Sequence, residues 1–426
     1  MERRRFDILA ISSTLQSIDM SSKVRVIFLS LLMLLASCNG DPGVAEVVPD
    51  VIAKGETARR TLLVYMMAEN SLNNFAALDM KEIAEAVPTV PRDCRLFVYV
   101  DDSKLPELIH YYNLTNGAID SLKIAPFDDD VCSSDTAALA TVLGTILDDY
   151  PTETLDLVMW SHGSGWVRGP LNSSPQRSIG IDNGKNSYSD AITTTIEVEE
   201  LAALLAALPT KLDRLMFDAC FMQCVEACYA MRGAAEWIIA SPAEIPGDGA
   251  LYSTLVESFF NTDGPGAIMD SYIGAYENEP AGAVLSAVRT RGLQNLADVT
   301  YSYVLNYFNS GKRREYTDVF SYLPGGKYNG SPAYPSFFDM NAVMKKYLTA
   351  DEYAHWREAF DGAVTYVASS EKWYSIFQPK PLEYDTTVAG GMSMYIPQSY
   401  SRNEKFNSDF STTEWYTAAG WRDAGW

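Results

Sequence analysis

The sequence predicts an α/β fold: a mostly parallel sheet covered by helices on both faces, with a C-terminal layer of helices and strands packed against it. Three observations predict it. Short apolar runs rich in β-branched and aromatic residues recur through the first 240 positions, as buried strands require. Helix-period stretches separate several of these runs, and strand–helix alternation is the signature of a parallel sheet. With 47% hydrophobic residues in 426, the chain can bury one large domain or two closely packed ones.

The N-terminal residues carry an address. After Lys23 and Arg25, the apolar run from Val26 to Leu35 is too short for a bilayer span and fits a signal-peptide core. It ends in Leu35-Ala36-Ser37-Cys38, small residues before a cysteine, which resembles the bacterial lipobox. Residues 1–37 are therefore expected to be a lipoprotein signal peptide with Cys38 acylated; a plain signal peptide is the competing reading. Met20 opens a tidy positively charged stretch and is an alternative start. Residues 38–60, with Pro, Gly and small side chains, read as a tether.

From Thr61 the elements follow in order. Strands are expected at 61–68 (TLLVYMMA), 94–102, 107–114, 155–162 (LDLVMWSH), 212–220 (LDRLMFDAC) and 236–242. Helices are expected at 73–87, at 134–150 with Ser134 and Asp135 as cap candidates, at 197–208, and at 221–233 ending at Gly233. From about Gly264 the pattern is weaker. Residues 339–374 read as amphipathic helices and 390–397 as a late strand. The expected division is a core at 61–263 and a C-terminal part at 264–426 packed on it. The dense Tyr and Trp of that part are expected mainly as packing.

A formal net charge of −22 argues against nucleic acid or a polybasic lipid contact. Loss of residues 1–37 removes five basic and three acidic side chains and leaves −24. Of the six cysteines, Cys94 and Cys132 are isolated in sequence. Cys224 and Cys228 continue a four-residue spacing from Cys220 that suits neither a disulfide nor a zinc site, so they are expected as small core residues.

Two residues stand apart. His162 and Cys220 each sit at the carboxyl end of an expected strand, the edge where α/β sheets bind ligands. Of the three histidines, only His162 is followed by a glycine-rich turn; His110 and His355 are expected to be structural. If the two strands are neighbours, a Cys–His pair results, with the thiolate as nucleophile. Cys220 would also open the following helix, whose dipole favours a negative sulfur. The backbone N–H groups of Gly163 and Cys220 could then hold an oxyanion. The run HGSG at 162–165 lacks the spacing of a serine nucleophile elbow.

The pattern WSHGSGW, then FDAC at 217–220, resembles the clostripain family of cysteine peptidases. LLVYMMAENSLNNFA, AEWIIASPAEIPGDG, GGMSMYIP and TEWYTAAGW resemble its other segments. The resemblance implies a caspase-like α/β/α sandwich, His162 and Cys220 as a catalytic dyad, and cleavage of proteins or peptides after Arg, less often Lys. It implies Asp218 as the floor of the S1 pocket. Strand alternation places Asp218 on the side of Cys220, and capping of a helix at 221 is its alternative role. Glu244 and Asp248 are further S1 candidates. Self-cleavage is implied between His162 and Cys220, where Arg168, Arg177 and Lys185 lie in a polar loop at 167–190. No cofactor is required. Calcium is implied as an activator without an assigned site; the acidic runs 127–130 and 100–102 offer oxygen ligands but no EF-hand spacing. The protein is expected to be exported, held in the bacterial cell envelope through Cys38, and monomeric. A non-catalytic surface lipoprotein binding peptide or glycan is the alternative, disfavoured by intact His162, Gly163 and Cys220.

Overall fold

The computed structural model describes residues 53–426 except 103, 114–118, 128–130, 168–178, 185–193, 262–263, 278, 280, 313, 324–326, 329–330, 333–336, 374, 376–381, 384, 386 and 400–402. The signal segment, Cys38, Arg168, Arg177, Lys185 and Asp128–Asp130 lie outside the described residues.

A nine-stranded sheet organises the fold. In chain order its strands are β1 (Arg60–Met67), β2 (Cys94–Asp101), β3 (Glu107–Asn113), β4 (Ile119–Pro126), β5 (Leu155–Trp160), β8 (Leu212–Asp218), β9 (Ala235–Ala240), β10 (Val284–Arg289) and β11 (Val364–Ser369), with a separate small pair β6 (Ile179–Asp182) and β7 (Thr194–Ile196). The spatial order is β11-β10-β9-β8-β5-β1-β2-β3-β4. The five central strands, β9 to β2, run parallel, and an antiparallel pair closes each side.

Alternate residues of the central strands feed two separate cores, as the period of two dictates. Leu63, Tyr65, Met67, Leu157, Met159 and Phe217 face one core; Leu62, Val64, Met66, Val158, Trp160 and Met216 face the other. Helices α1 (Asn73–Ala86), α5 (Tyr252–Asn261) and α6 (Gly266–Gly274) cover the second face. The first face carries α2 (Thr136–Asp149), α3 (Val198–Ala206), α4 (Val225–Ala230), α7 (Leu293–Tyr307), α8 (Met340–Tyr347) and α9 (Ala350–Ala363). The result is the expected three-layer α/β/α sandwich. Asp135 caps α2 by accepting from Ala137 N–H, and Thr349 with Glu352 forms a capping box on α9.

The C-terminal part is woven into the sandwich. Strands β10 and β11 of the central sheet come from beyond residue 263, and the first core runs from Leu63 to Ala424. Both strands were missed in the sequence: Val364–Ser369 lies inside a stretch expected to be helical, where α9 ends and the β-branched run VTYV takes over. Among the described residues, no helix is long and apolar enough to cross a membrane.

Candidate active site at the sheet's carboxyl edge

Strands β5 and β8 are parallel neighbours, and Trp160 of one is in register with Asp218 of the other. His162 and Cys220 each lie two residues past those partners, so the chain leaves the sheet with the two side by side, strands being about 4.8 Å apart. The turns are in tight contact. A Cβ on Gly163 would stand 2.6 Å from the Cys220 carbonyl oxygen and 3.0 Å from the Ala219 Cβ. Only glycine fits there.

The turn after Cys220 departs from expectation. The helix does not open at 221: residues 221–224 form an irregular turn, and α4 starts at Val225 with Cys224 at its N-cap. Cys220 is therefore not at a helix N-terminus, and the helix dipole does not act on its sulfur. Phe221 instead adopts φ +60, a costly conformation for an aromatic residue. Phe221 N–H donating to Ala243 O and Gln223 N–H donating to Ser241 O hold the turn against the loop after β9. Gly165, at φ +64, would clash through a Cβ with Cys224 Sγ and Phe221 O, each at 2.8 Å. The two loops thus fit only with glycine at 163 and 165. Cys224 and Cys228 are buried free thiols, as expected.

His162 is positioned from three sides. Ser161 Oγ donates to Met67 O, and Asn70 Nδ2 donates to Met67 O and Ile181 O, tying the end of β1 to β6. Gly180 N–H, in β6, donates to His162 O at 3.0 Å. The ring itself pairs Nε2 with Ser71 Oγ at 2.9 Å. Burial holds the imidazole down to about 4. The Cys220 thiol is pushed up to about 12, first by burial and then by the Glu244 charge, against the opposing effect of Ile245 N–H, which approaches Sγ at 3.4 Å. At neutral pH the pair is neutral thiol and neutral imidazole. The backbone N–H of Cys220 bonds its own sulfur and favours the thiolate, a smaller effect than burial. Ser164 is buried and its hydroxyl turns to Val167 O.

Beneath Cys220 the surroundings are acidic. Strand β8 ends at Asp218, so the alternation argument that put Asp218 beside Cys220 stops there. No helix starts at 221 for it to cap. Its carboxylate is buried and held by Ala250 N–H and Tyr252 OH on Oδ2 and by Tyr272 OH on Oδ1, at 3.0 to 3.1 Å. Burial raises its pKa. Glu244 is buried and Asp248 exposed in the loop after β9. Sequence reasoning missed a further member, Asp79 of α1, which accepts from Trp160 Nε1 at 2.8 Å. It is pushed up to about 8 by burial and then by the charge of Asp218, with Glu82 and Asp248 adding. No motif marks Asp79; an acidic residue on the buried stripe of α1 was the available signal. His110 stacks on Phe97 in the core and His355 pairs with Tyr303, both outside this site.

The sequence model of the clostripain family, peptidase group C11, matches residues 64–426. Among solved structures, a secreted C11 cysteine protease from Bacteroides thetaiotaomicron, in complex with an irreversible peptide inhibitor, is 26% identical. The match covers 86% of this chain and 100% of that one with a TM-score of 0.73. An inactive zymogen C11 protease from Parabacteroides distasonis is 24% identical over 85% of this chain and 99% of its own, TM-score 0.71. A second secreted protease from B. thetaiotaomicron, iotapain, is 18% identical over 85% and 99%, TM-score 0.71; these two show likeness of fold. No curated protein matches the chain. With the family's sequence pattern spanning residues 64–426 and its fold reproduced, the chain belongs to the clostripain family of cysteine peptidases.

Proposed function

We propose that this cysteine peptidase is an endopeptidase in which Cys220 and His162 form the catalytic dyad and the cleaved bond follows a basic residue, Arg before Lys. The observation that carries the reading is the register of β5 and β8, which releases both residues from the sheet side by side. Because thiol and imidazole rest neutral, His162 acts as a general base, taking the thiol proton as Sγ attacks the scissile carbonyl. The carbonyl oxygen becomes an oxyanion between the N–H groups of Gly163 and Cys220. His162 then gives its proton to the leaving amine, and water hydrolyses the thioester with His162 again as base.

Preference for a basic P1 side chain rests on the acidic ground beneath the nucleophile. Asp218 supplies a fixed carboxylate held by two tyrosines, Glu244 lies near enough to raise the thiol's pKa, and Asp248 lies on the exposed part of the same loop. A guanidinium entering there would offset the Asp218 charge that, after burial, raises Asp79. Self-cleavage after Arg168, Arg177 or Lys185, export, and anchoring through Cys38 belong to the same reading, carried by the polar loop and the signal-like N-terminus.

The test is a panel of fluorogenic peptides differing only at P1, with Cys220→Ala and Asp218→Asn beside the parent. The expected outcome is hydrolysis after Arg and Lys that vanishes in Cys220→Ala. In Asp218→Asn, kcat/KM should fall selectively for basic P1 by about 10- to 100-fold, the worth of one charge-assisted contact. Equal turnover on uncharged P1 residues would overturn the specificity, and activity surviving Cys220→Ala would overturn the mechanism.

A further inference from the structure

In the proposed reaction His162 hands its proton to the leaving amine, so the part of the substrate that follows the cleaved bond lies on the His162 side of Cys220. Strand order fixes where that leads. Cys220 follows β8, His162 follows β5, and β1 and then β2 come next across the sheet. The carboxylates proposed to receive the basic side chain lie the other way: Asp218 ends β8, and Glu244 and Asp248 follow β9. A bound peptide therefore runs from that acidic ground over the ends of β5 and β1 towards β2.

At the end of β2 the surface opens into a groove of about 280 Å³ between α1 and the β2–β3 hairpin. Ala77 and Met80 of α1, Val100 of β2, Ile109 of β3 and Leu105 in the turn between the strands line it. Leu105 is 45% exposed. A lone exposed leucine is ordinary, but one that completes an apolar concavity in line with a catalytic edge is a place for a ligand side chain. The charges at the rim are already paired, Lys104 with Asp102 at 2.7 Å and Lys123 with Glu107. The floor is continuous from the active site: Ser71 Oγ meets His162 Nε2 at 2.9 Å, and two residues on Asn73 Nδ2 donates to Asp102 O at 2.5 Å. The loop after β1 thus joins the histidine to the rim of the groove.

We infer that, given the proposed dyad, this groove is a substrate subsite on the leaving-group side, taking an apolar side chain of leucine or phenylalanine size at the fourth residue after the cleaved bond (P4′). Reach sets the position. From β8 to β2 there are three strand intervals of about 4.8 Å, roughly 14 Å, which an extended chain covers in about four residues. Chemistry sets the preference. An aliphatic or aromatic side chain removes the exposed apolar wall from water, whereas a charged one would lose its own water and find the rim's charges already engaged.

The side of the bond on which the groove lies decides which step it serves. The segment that fills it departs with the amine when the thioester forms, so the groove contributes to acylation and not to hydrolysis of the thioester. Its effect belongs in kcat/KM, which covers binding and the steps through acylation. A substrate whose leaving group is a small dye gains nothing from it.

The test uses internally quenched peptides of one sequence with Arg at P1. In one series a single Leu is walked from P2′ to P6′ through a leaving segment otherwise of Gly and Ser; in the other, P4′ is Leu, Phe, Gly or Glu. Preference is read as a ratio of kcat/KM values within one protein, for the parent, Leu105→Glu and Ala77→Glu. In the parent the walk should peak between P3′ and P5′, and Leu or Phe at P4′ should exceed Gly about tenfold, the worth of burying one such side chain. In Leu105→Glu that ratio should fall to about one. Ala77→Glu, on the exposed side of α1 where glutamate is a good helix former, should do the same and keeps the test open should the first variant fail to fold. A flat walk, a peak outside P3′ to P5′, or a ratio unchanged in the folded variants would overturn the subsite. An Arg dye amide with no leaving segment separates this from the peptidase reading. Its hydrolysis by the parent beside a flat walk would discard the groove and keep the dyad, whereas a parent that cleaves neither amide nor peptides would overturn both.

Discussion

The imidazole of His162 and the thiol of Cys220 are displaced in opposite directions from their ordinary values, to about 4 and about 12, and under the proposed dyad this decides how the nucleophile is activated. A thiolate–imidazolium pair needs a thiol pKa below that of the imidazole, and here burial works against both charged forms. Rate should therefore follow only the deprotonation of the imidazole. We expect kcat/KM to rise through an acid limb below about pH 5 and then stay flat to about pH 9, because the base is already free and the thiol still protonated. Initial rates on a single Arg peptide across that range check it; a bell with an alkaline limb near pH 8 would mean an ion pair at rest. His162 and Cys220 were legible in the sequence because strand ends are chemistry-bearing positions in a parallel sheet and both follow apolar runs. Ser71 and Asn70 were not. They lie in the loop after β1, and Ser71 meets His162 and Asn70 meets Ser161 only because β1 and β5 are neighbours in the sheet, an adjacency no local pattern encodes.

At the scale of elements, the end of the sheet opposite the site is locked by charge. Asp156 in β5 receives Arg214 of β8 through Nε at 3.0 Å and Nη2 at 2.6 Å, and Arg60 of β1 at 2.7 Å. Asp156 and Arg214 side chains are wholly buried. Three adjacent strands are thus pinned in the register that aligns Trp160 with Asp218. Asp156→Ala would leave the buried Arg214 with only its longer 3.6 Å ion pair to Asp213, and we expect a loss of about 3–5 kcal/mol. Urea unfolding checks the loss, and kcat and KM of the remaining folded enzyme should stay near the parent's if this edge is purely structural. The central strands and their flanking helices were readable because long apolar runs and helix-period stripes are strong signals. The helix after Cys220 was read four residues too early. FMQCVEACYAMRG keeps helical spacing throughout, but contact with the loop after β9 and the Gly165 turn forces Phe221 to φ +60, so tertiary packing overrode local propensity. Strands β4, β10 and β11 escaped for a related reason. They pair antiparallel at the sheet's flanks, where apolar alternation is shorter and less regular.

Over the whole molecule, both faces of the sandwich bury carboxyl groups that are easier to hold protonated than charged. Asp79 on the α1 face is pushed up to about 8, mainly by burial and then by Asp218. On the other face burial takes Glu226 up to about 7 and Asp339 up to about 6, although Tyr395 N–H donates to the first and Ala342 N–H, Gly390 N–H and Tyr322 OH to the second. In the unfolded chain such groups titrate near 4. Between about pH 4 and each raised value the folded state therefore keeps a proton that the unfolded state has released, and stability falls as pH rises. The contribution is complete below the unfolded pKa and gone above the folded one. Asp339 gives up its share by about pH 6, Glu226 by about 7 and Asp79 last, near 8. We expect the Tm of Cys220→Ala protein, at fixed calcium, to be higher at pH 6 than at pH 8. Asp79→Asn, which keeps an acceptor for Trp160 Nε1 but cannot ionise, should flatten that interval. A Tm that rises from pH 6 to 8, or a slope unchanged by Asp79→Asn, would show that Asp79 is ionised in the folded enzyme. Its charge would then be permanent beside Asp218, strengthening the field offered to a basic side chain at the expense of the fold.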